Sequence, residues 1–390
     1  MEMKPSPRLV ALDTEVFDSH NFNYKSQVFQ TLIKLVKEEK IKLLLTSITL
    51  REIRSHITEG AQLASKAIKQ AVNDLHNKRF KPQREVKRIK ITANSDSLYK
   101  FEKAVQDLAP NFEQINQELL NQLETFLLEI EYDMIEVDQV SVVEIFEKYF
   151  SGSPPFGMGK KKSEFPDAFV LLSLQQEAKD RNRRIYLVSG DSDWKNFSSL
   201  SENLSLVEKL DELLEIIIRE TDSDEVDVCY EIFVGKEVEI KEYIESKFSN
   251  LDFSIDLSGS SLIEWGSEEV EVEVNSVDII NSSLVNIDDS DADQPSVIFE
   301  VMAEVKYDAK VSYESLESAI YDREDDRYYG GEMVNTVFTE SIVLSVEVTL
   351  TLSRDKDYSL FDAEIVNIEI DPNKTLGEIV IDTGFGDDYY

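Results

Sequence analysis

The chain has 390 residues, a net charge of −37, one cysteine and three histidines. That length predicts two domains, and the scarcity of Cys and His excludes an intrachain disulfide, a thiolate cage and a zinc site built on imidazoles. No stretch approaches the roughly 18 apolar residues that span a bilayer, and Met1 to Pro7 lack the apolar core of a signal peptide, so a soluble cytoplasmic protein with no membrane partner is expected.

Charge is unevenly spread. Residues 1–220 hold 31 Lys and Arg against 35 Asp and Glu, whereas 221–390 hold 10 against 43. The near-neutral first part can bind a polyanion through local basic patches, and the acidic second part should repel nucleic acid.

In chain order, Leu9 to Leu12 form an apolar strand ending at Asp13, with Thr14, Glu15 and Asp18 close behind. Residues 25–40 fit a helix with Val28, Leu32, Leu35 and Val36 on one face, and Leu43 to Leu45 fit another short strand. Strand, helix, strand predicts a parallel sheet. The next helix carries Leu50, Ile53 and Ile57 with Glu52 among them, and Thr49 to Glu52 also matches a capping box, in which Glu52 returns a hydrogen bond to the helix start.

About 115 residues separate Glu52 from the next conspicuous acid, Asp167, and residues 60–150 are expected to form a helical insertion. Its Phe112, Ile115, Leu119, Leu123, Phe126, Leu127 and Ile130 recur at helical spacing; that helix packs on the core or offers a contact for a homo-oligomer. Within the insertion Lys78, Arg79, Lys81, Arg84, Lys87, Arg88 and Lys90 surround a single acid. They are candidate phosphate contacts, with Phe80 available to stack on a base; a solvated linker, or a docking strip for the acidic second domain, explains them equally well.

A second basic cluster, Lys160, Lys161 and Lys162, precedes Glu-Phe-Pro-Asp-Ala. Pro166 suits a first helical position, Ala168, Leu171, Leu172 and Ala178 follow at helical spacing, and the helix ends in basic residues. Ile185 to Val188 then reads as a buried strand bounded by Ser189 and Gly190. Asp191 and Asp193 lie just outside its carboxyl end, where open α/β sheets place their ligands. Leu204, Leu206 and Val207 suggest a last strand, Lys209 to Arg219 a closing helix, and Thr221 to Glu225 a linker.

Each acid has a plain structural reading: Asp167 complements the positive end of its helix, and Asp191 and Asp193 are loop residues before a short helix starting near Trp194. Together, however, they occupy strand ends and first helical turns that converge on one edge of a parallel sheet. Carboxylates packed together repel, and a hard divalent cation compensates.

In that order and placement, Asp13, Glu52, Asp167 in Phe-Pro-Asp-Ala, and Asp191 with Asp193 in Ser-Gly-Asp-Ser-Asp-Trp resemble the acidic set of PIN-domain nucleases. Pro154 to Leu174 is similar to a bacterial PIN-like branch, and the resemblance covers about residues 8–220. It implies a PIN-like parallel sheet flanked by helices over residues 1–222 and a metal-dependent endonuclease acting on RNA, or on single-stranded DNA. By resemblance Asp13, Glu52, Asp167 and Asp191 are the catalytic ligands of Mg²⁺ or Mn²⁺, with Asp193 an accessory ligand and Ser189 and Thr14 orienting groups. A toxin or anti-phage effector is the biological setting the resemblance suggests.

Beyond residue 225 the period changes to two. Val226 to Ile232, Leu251 to Leu257, Val297 to Tyr307 and Leu344 to Leu352 alternate apolar with polar and read as strands of an antiparallel sheet, with one helix near 237–248 and loops at Asp288 to Gln294 and Asp322 to Tyr329. Residues 223–390 are thus expected to be an acidic, β-rich α+β accessory domain: a solubilising or oligomerising module, a surface for a basic protein partner, or an intramolecular cover for the basic strips. Two other functions compete with the nuclease reading. One is a non-catalytic RNA- or protein-binding factor that retains the PIN fold; the other, a Toprim-like Mg²⁺ site, leaves Asp13 and Asp167 without a role.

Overall fold

The computed structural model describes residues 6–80, 112–156, 164–221, 223–256, 269–288, 294–315, 319–322, 327–354, 360–370 and 378–382. The chain divides into two compact units, Met1–Ile217 and Ile218–Tyr390.

The first unit is built on β1 (Arg8–Leu12), β2 (Ile41–Thr46), β3 (Asp133–Ile135), β4 (Ile185–Val188) and β5 (Leu204–Val207). They form one parallel sheet in the order β3-β2-β1-β4-β5. Its strands are short apolar runs because helices cover both faces, so Leu9, Val10, Leu43, Leu44, Ile185 and Leu187 are all buried. From β1 the chain moves outward through β2 and β3, then returns to lay β4 on the other side of β1. The sheet therefore reverses direction between β1 and β4, and such a reversal opens a crevice at the carboxyl ends of those strands.

Helices α1 (Thr14–Ser19), α2 (Gln27–Lys37) and α3 (Ser47–Phe80) follow the first strands, and α4 (Phe112–Ile130) packs on α2 and α3. The apolar face of α4 buries Leu123, Phe126, Leu127 and Ile130. Phe126 stacks on Tyr24 at 4.7 Å and meets Phe17 and Phe29 edge-on, while Arg54 and Lys37 pair with Glu124 and Glu129 along its polar edge. The amphipathic helix expected in the insertion is thus part of the core.

The insertion is not wholly helical, because residues 133–135 supply β3. Asp133 of that strand takes Lys42 at 2.9 Å and Arg181 at 3.1 Å. Helix α5 (Val142–Ser151) begins on Ser141, whose Oγ accepts the Glu144 N–H, and ends at a left-handed Gly152. It leads to α6 (Phe165–Asp180), with Pro166 in its first turn as expected. Short α7 (Ser192–Ser198) follows β4, and α8 (Leu210–Thr221) follows β5.

In the second unit, residues 226–232 form a helix rather than the expected strand. This is α9 (Ser223–Gly235), which buries Val226, Cys229 and Phe233; α10 (Glu237–Phe248) buries Ile240, Ile244 and Phe248. Because α9 starts directly after Asp222, Thr221 to Glu225 belongs mostly to the ends of two helices rather than to an open linker. Four long strands, β7 (Glu269–Asp288), β8 (Ser296–Ser315), β11 (Glu332–Arg354) and β12 (Leu360–Ile370), make an antiparallel sheet in the order β12-β11-β8-β7.

One face of that sheet is apolar. Val297, Phe299, Val301, Ala303 and Val305 of β8 and Leu344, Val346, Val348 and Leu350 of β11 are buried, and Phe299 meets Phe233 of α9 at 4.5 Å while Tyr307 meets Phe248 of α10 at 5.1 Å. The register brings Glu300, Glu347 and Glu369 into one row across β8, β11 and β12. β6 (Asp252–Asp256) stands apart from this sheet and pairs in parallel with β13 (Glu378–Asp382). The loop expected over Asp322 to Tyr329 is shorter than that: its last three residues form β10 (Arg327–Tyr329), which pairs antiparallel with β9 (Ile320–Asp322). Among the described residues no helix is long and apolar enough to cross a membrane.

Candidate active site

Strand register brings the site together. Leu12 lies opposite Val188 at the ends of β1 and β4, and the Asp13 N–H continues the ladder by donating to the Val188 carbonyl at 3.0 Å. The next residue on each strand therefore meets its counterpart: Ser189 Oγ donates to Asp13 Oδ2 at 2.6 Å. Ser189 is fully buried and Asp13 is only 9% exposed. That hydroxyl also accepts the Asp191 N–H at 3.1 Å, so one side chain orients two acids.

Glu52 arrives from α3, whose first turn is organised differently from the capping box expected at Thr49. Thr46 Oγ1 accepts the Thr49 N–H at 3.0 Å and holds the Thr49 hydroxyl at 2.9 Å. Released from capping, Glu52 Oε2 accepts the Thr14 hydroxyl at 3.0 Å. Asp167, in the first turn of α6, accepts the indole N–H of buried Trp194 at 3.3 Å. The short helix starts at Ser192 rather than near Trp194, and Asp191 caps it from the strand end, its Oδ1 accepting the Asp193 N–H at 2.6 Å.

Electrostatics tie these groups into one cluster. Burial pushes the Asp13 carboxyl up to about 7; the Ser189 hydrogen bond opposes this, and the charges of Asp167 and Glu15 add to it. Burial also raises Asp167 to about 6, opposed by the Trp194 hydrogen bond and reinforced by Glu52, Asp191 and Glu164. Glu52 is raised by burial and further by Asp18, and lowered by the Thr14 hydroxyl and by the charge of His56. Asp13, Glu52, Asp167 and Asp191 are thus coupled through Asp167, and Asp193 follows on the same short helix.

Three contributors escaped the sequence reading. Glu164, buried at the start of α6, stands three residues before Asp167 and so on the same side of the helix; that spacing was the available signal. Glu15 accepts the Gly190 N–H at 3.1 Å, and its carboxylate oxygens lie 3.2 Å from where a side chain at Gly190 would begin. In the sequence Trp194 is only the end of a motif, and nothing there shows that it reaches a carboxylate 27 residues away. Of the basic candidates, Lys78 and Arg79 fall at the end of α3, where side chains are not described, and Lys81, Arg84, Lys87, Arg88, Lys160, Lys161 and Lys162 lie outside the described residues.

The donor set consists of carboxylate oxygens with hydroxyls orienting them, which suits a hard divalent cation. Among the described residues no three His, Cys, Asp or Glu side chains stand close enough to close around an ion. The chemistry fits a cation, and the groups that would hold it are Asp13, Glu52, Asp167 and Asp191.

Comparison with known families gives a match to the PIN domain over residues 10–194. The chain carries a PIN domain. That span runs from β1 to Trp194 and so contains every acid of the cluster. No curated protein and no solved structure matches the chain. PIN domains are typically nucleases and generally use divalent metals, and the ends of β1 and β4 are where this one brings Asp13 and Asp191 together.

Proposed function

We propose that this PIN-domain protein is a cytoplasmic, Mg²⁺- or Mn²⁺-dependent endoribonuclease. The supporting observation is the convergence of Asp13, Glu52, Asp167 and Asp191 on the switch point of the sheet, with three of the four carboxyls raised by burial. A divalent cation held by Asp13, Glu52, Asp167 and Asp191 would supply positive charge for the phosphate and make a nearby water more acidic.

The chain's own groups do the rest. Ser189 and the strand ladder fix Asp13, Thr14 fixes Glu52, and Trp194 fixes Asp167, so the acceptor oxygens are set before substrate arrives. Without a cation the carboxyls of Asp13 and Asp167 stand at about 7 and about 6; a divalent cation held there would favour their ionised forms, so its binding would release protons near neutral pH. Phosphodiester hydrolysis then gives a phosphate on one fragment and a hydroxyl on the other. A toxin or anti-phage effector is the setting we propose for such an activity.

The test is cleavage of RNA and single-stranded DNA by the full chain with Mg²⁺ or Mn²⁺, alongside Asp13→Asn and Asp167→Asn. Loss of cleavage by at least a hundredfold in both variants supports the reading. Equal activity in all three proteins rejects it, and binding of RNA without cleavage under any of these conditions favours a non-catalytic RNA-binding factor.

A further inference from the structure

Helices α1 and α3 are joined by two rungs that repeat at the same spacing. Thr14 bonds Glu52, and four residues further along each helix Asp18 bonds His56, with Oδ2 2.6 Å from Nδ1. At 1.5 Å of rise per residue the second rung lies about 6 Å along the helices from the first. The first rung belongs to the carboxylate cluster. The second is more open, with the His56 and Asp18 side chains 45% and 38% exposed. His56 is near enough to Glu52 for its charge to act on that carboxylate, as is Asp18.

A phosphodiester strand approaching Asp13, Glu52, Asp167 and Asp191 meets the negative charge of these carboxylates. It needs a positive contact beside the cluster as well as any cation within it. Since a carboxylate only accepts, Asp18 holds the Nδ1–H form of the ring and fixes its plane, which leaves Nε2 as the nitrogen through which the ring meets a ligand. Protonated, Nε2 donates to a phosphate oxygen, and such a charge-assisted bond is stronger than a neutral one.

We propose that His56, held in place by Asp18, is a phosphate contact of this site and takes the backbone phosphate next to the scissile one on a single strand of RNA. The inference rests on the nuclease reading for the position of the scissile phosphate, but its test does not depend on turnover. Binding of a single-stranded RNA oligonucleotide is measured against salt for full-length Asp167→Asn, and for the same protein carrying His56→Ala or His56→Arg. Thermal unfolding of each variant is recorded in parallel.

His56→Ala is expected to weaken binding five- to tenfold and to make the slope of log affinity against log salt shallower by about 0.7, the loss of one phosphate contact on a single strand. His56→Arg should restore both. Unchanged affinity and slope in His56→Ala overturn the proposal. Weaker binding at unchanged slope, without rescue by arginine, also overturns it, because that pattern marks a strut between two helices. Absence of RNA binding by the parent protein overturns it as well. If the parent binds RNA while the wild type fails to cleave it, the nuclease reading falls and the His56 contact is still decided by the slope.

Discussion

Asp13→Asn should stabilise the metal-free protein, and by an amount that depends on pH. The folded-state carboxyl titrates at about 7 against an ordinary 3.8, so between those values the folded protein holds a proton that the unfolded chain has released. Stability therefore falls as pH rises from about 4 to about 7 and levels off above. At about 1.4 kcal/mol per pH unit, the ionised form costs about 4 kcal/mol above pH 7 and about 1 kcal/mol at pH 4.5. Asparagine removes that charge while keeping an oxygen for the Ser189 hydroxyl. The expected gain is about 2–4 kcal/mol at pH 8, or about 10 °C in Tm for a unit of this size, shrinking to a few degrees at most at pH 4.5. Thermal unfolding of the full chain in chelator, followed by circular dichroism at both pH values, measures it. A loss of stability at pH 8, or the same gain at both pH values, would show that Asp13 is not a charge held against its solvation and would refute the electrostatic account of the site.

Other substitutions probe the supports. Ser189→Ala removes a buried hydroxyl that serves both Asp13 and Asp191; it should cost about 1–3 kcal/mol in denaturant unfolding and reduce cleavage severalfold. Trp194→Phe keeps an aromatic ring, though a smaller one, and deletes the N–H that favours ionised Asp167, so the rising limb of the pH–rate profile should move to higher pH. Phe126→Ala empties the centre of the cluster formed with Phe17, Tyr24 and Phe29 and should cost about 3–5 kcal/mol, lowering thermal stability without altering the pH dependence of cleavage by the protein that remains folded. Mn²⁺ at pH 8 should raise the Tm of the wild type and have little effect on Asp13→Asn.

What could be read from sequence and what could not follow from the range of the forces involved. Asp13 and Asp191 were legible because a short apolar run ending in an acid is a local pattern, and alternation with helices says which edge those ends share. β3 was not legible: Asp-Met-Ile is too short to show a period, and only its pairing with β2 and the bonds from Lys42 and Arg181 make it a strand. Residues 226–232 satisfy two periods at once, since Val226, Val228, Tyr230 and Ile232 alternate while Val226, Cys229, Tyr230 and Phe233 fall on one helical face. Packing against Phe299 decides for the helix. The role of Glu52 turned on Thr46, three residues before the residue expected to cap the helix, and the Trp194–Asp167 and His56–Asp18 contacts join separate elements, which no local spacing reports.

The energetics of the crevice argue for its use. Asp13 could be replaced by a neutral residue of the same shape with a gain in stability, and its fixed partner, the Ser189 hydroxyl, would serve a neutral oxygen as well. Asp167 is in the same position with respect to the Trp194 indole. A charge kept where it weakens the fold, next to like charges that weaken it further, is the local conflict expected of a functional site in a chain whose other choices agree with its fold. The Asp133 carboxylate, paired with Lys42 and Arg181, shows how this protein treats an acid that is only structural. Among the described residues, Asp13 and Asp191 are oriented by the Ser189 hydroxyl and Asp167 by an indole rather than by a Lys or Arg, an arrangement that orients them while leaving their charge for something that binds there.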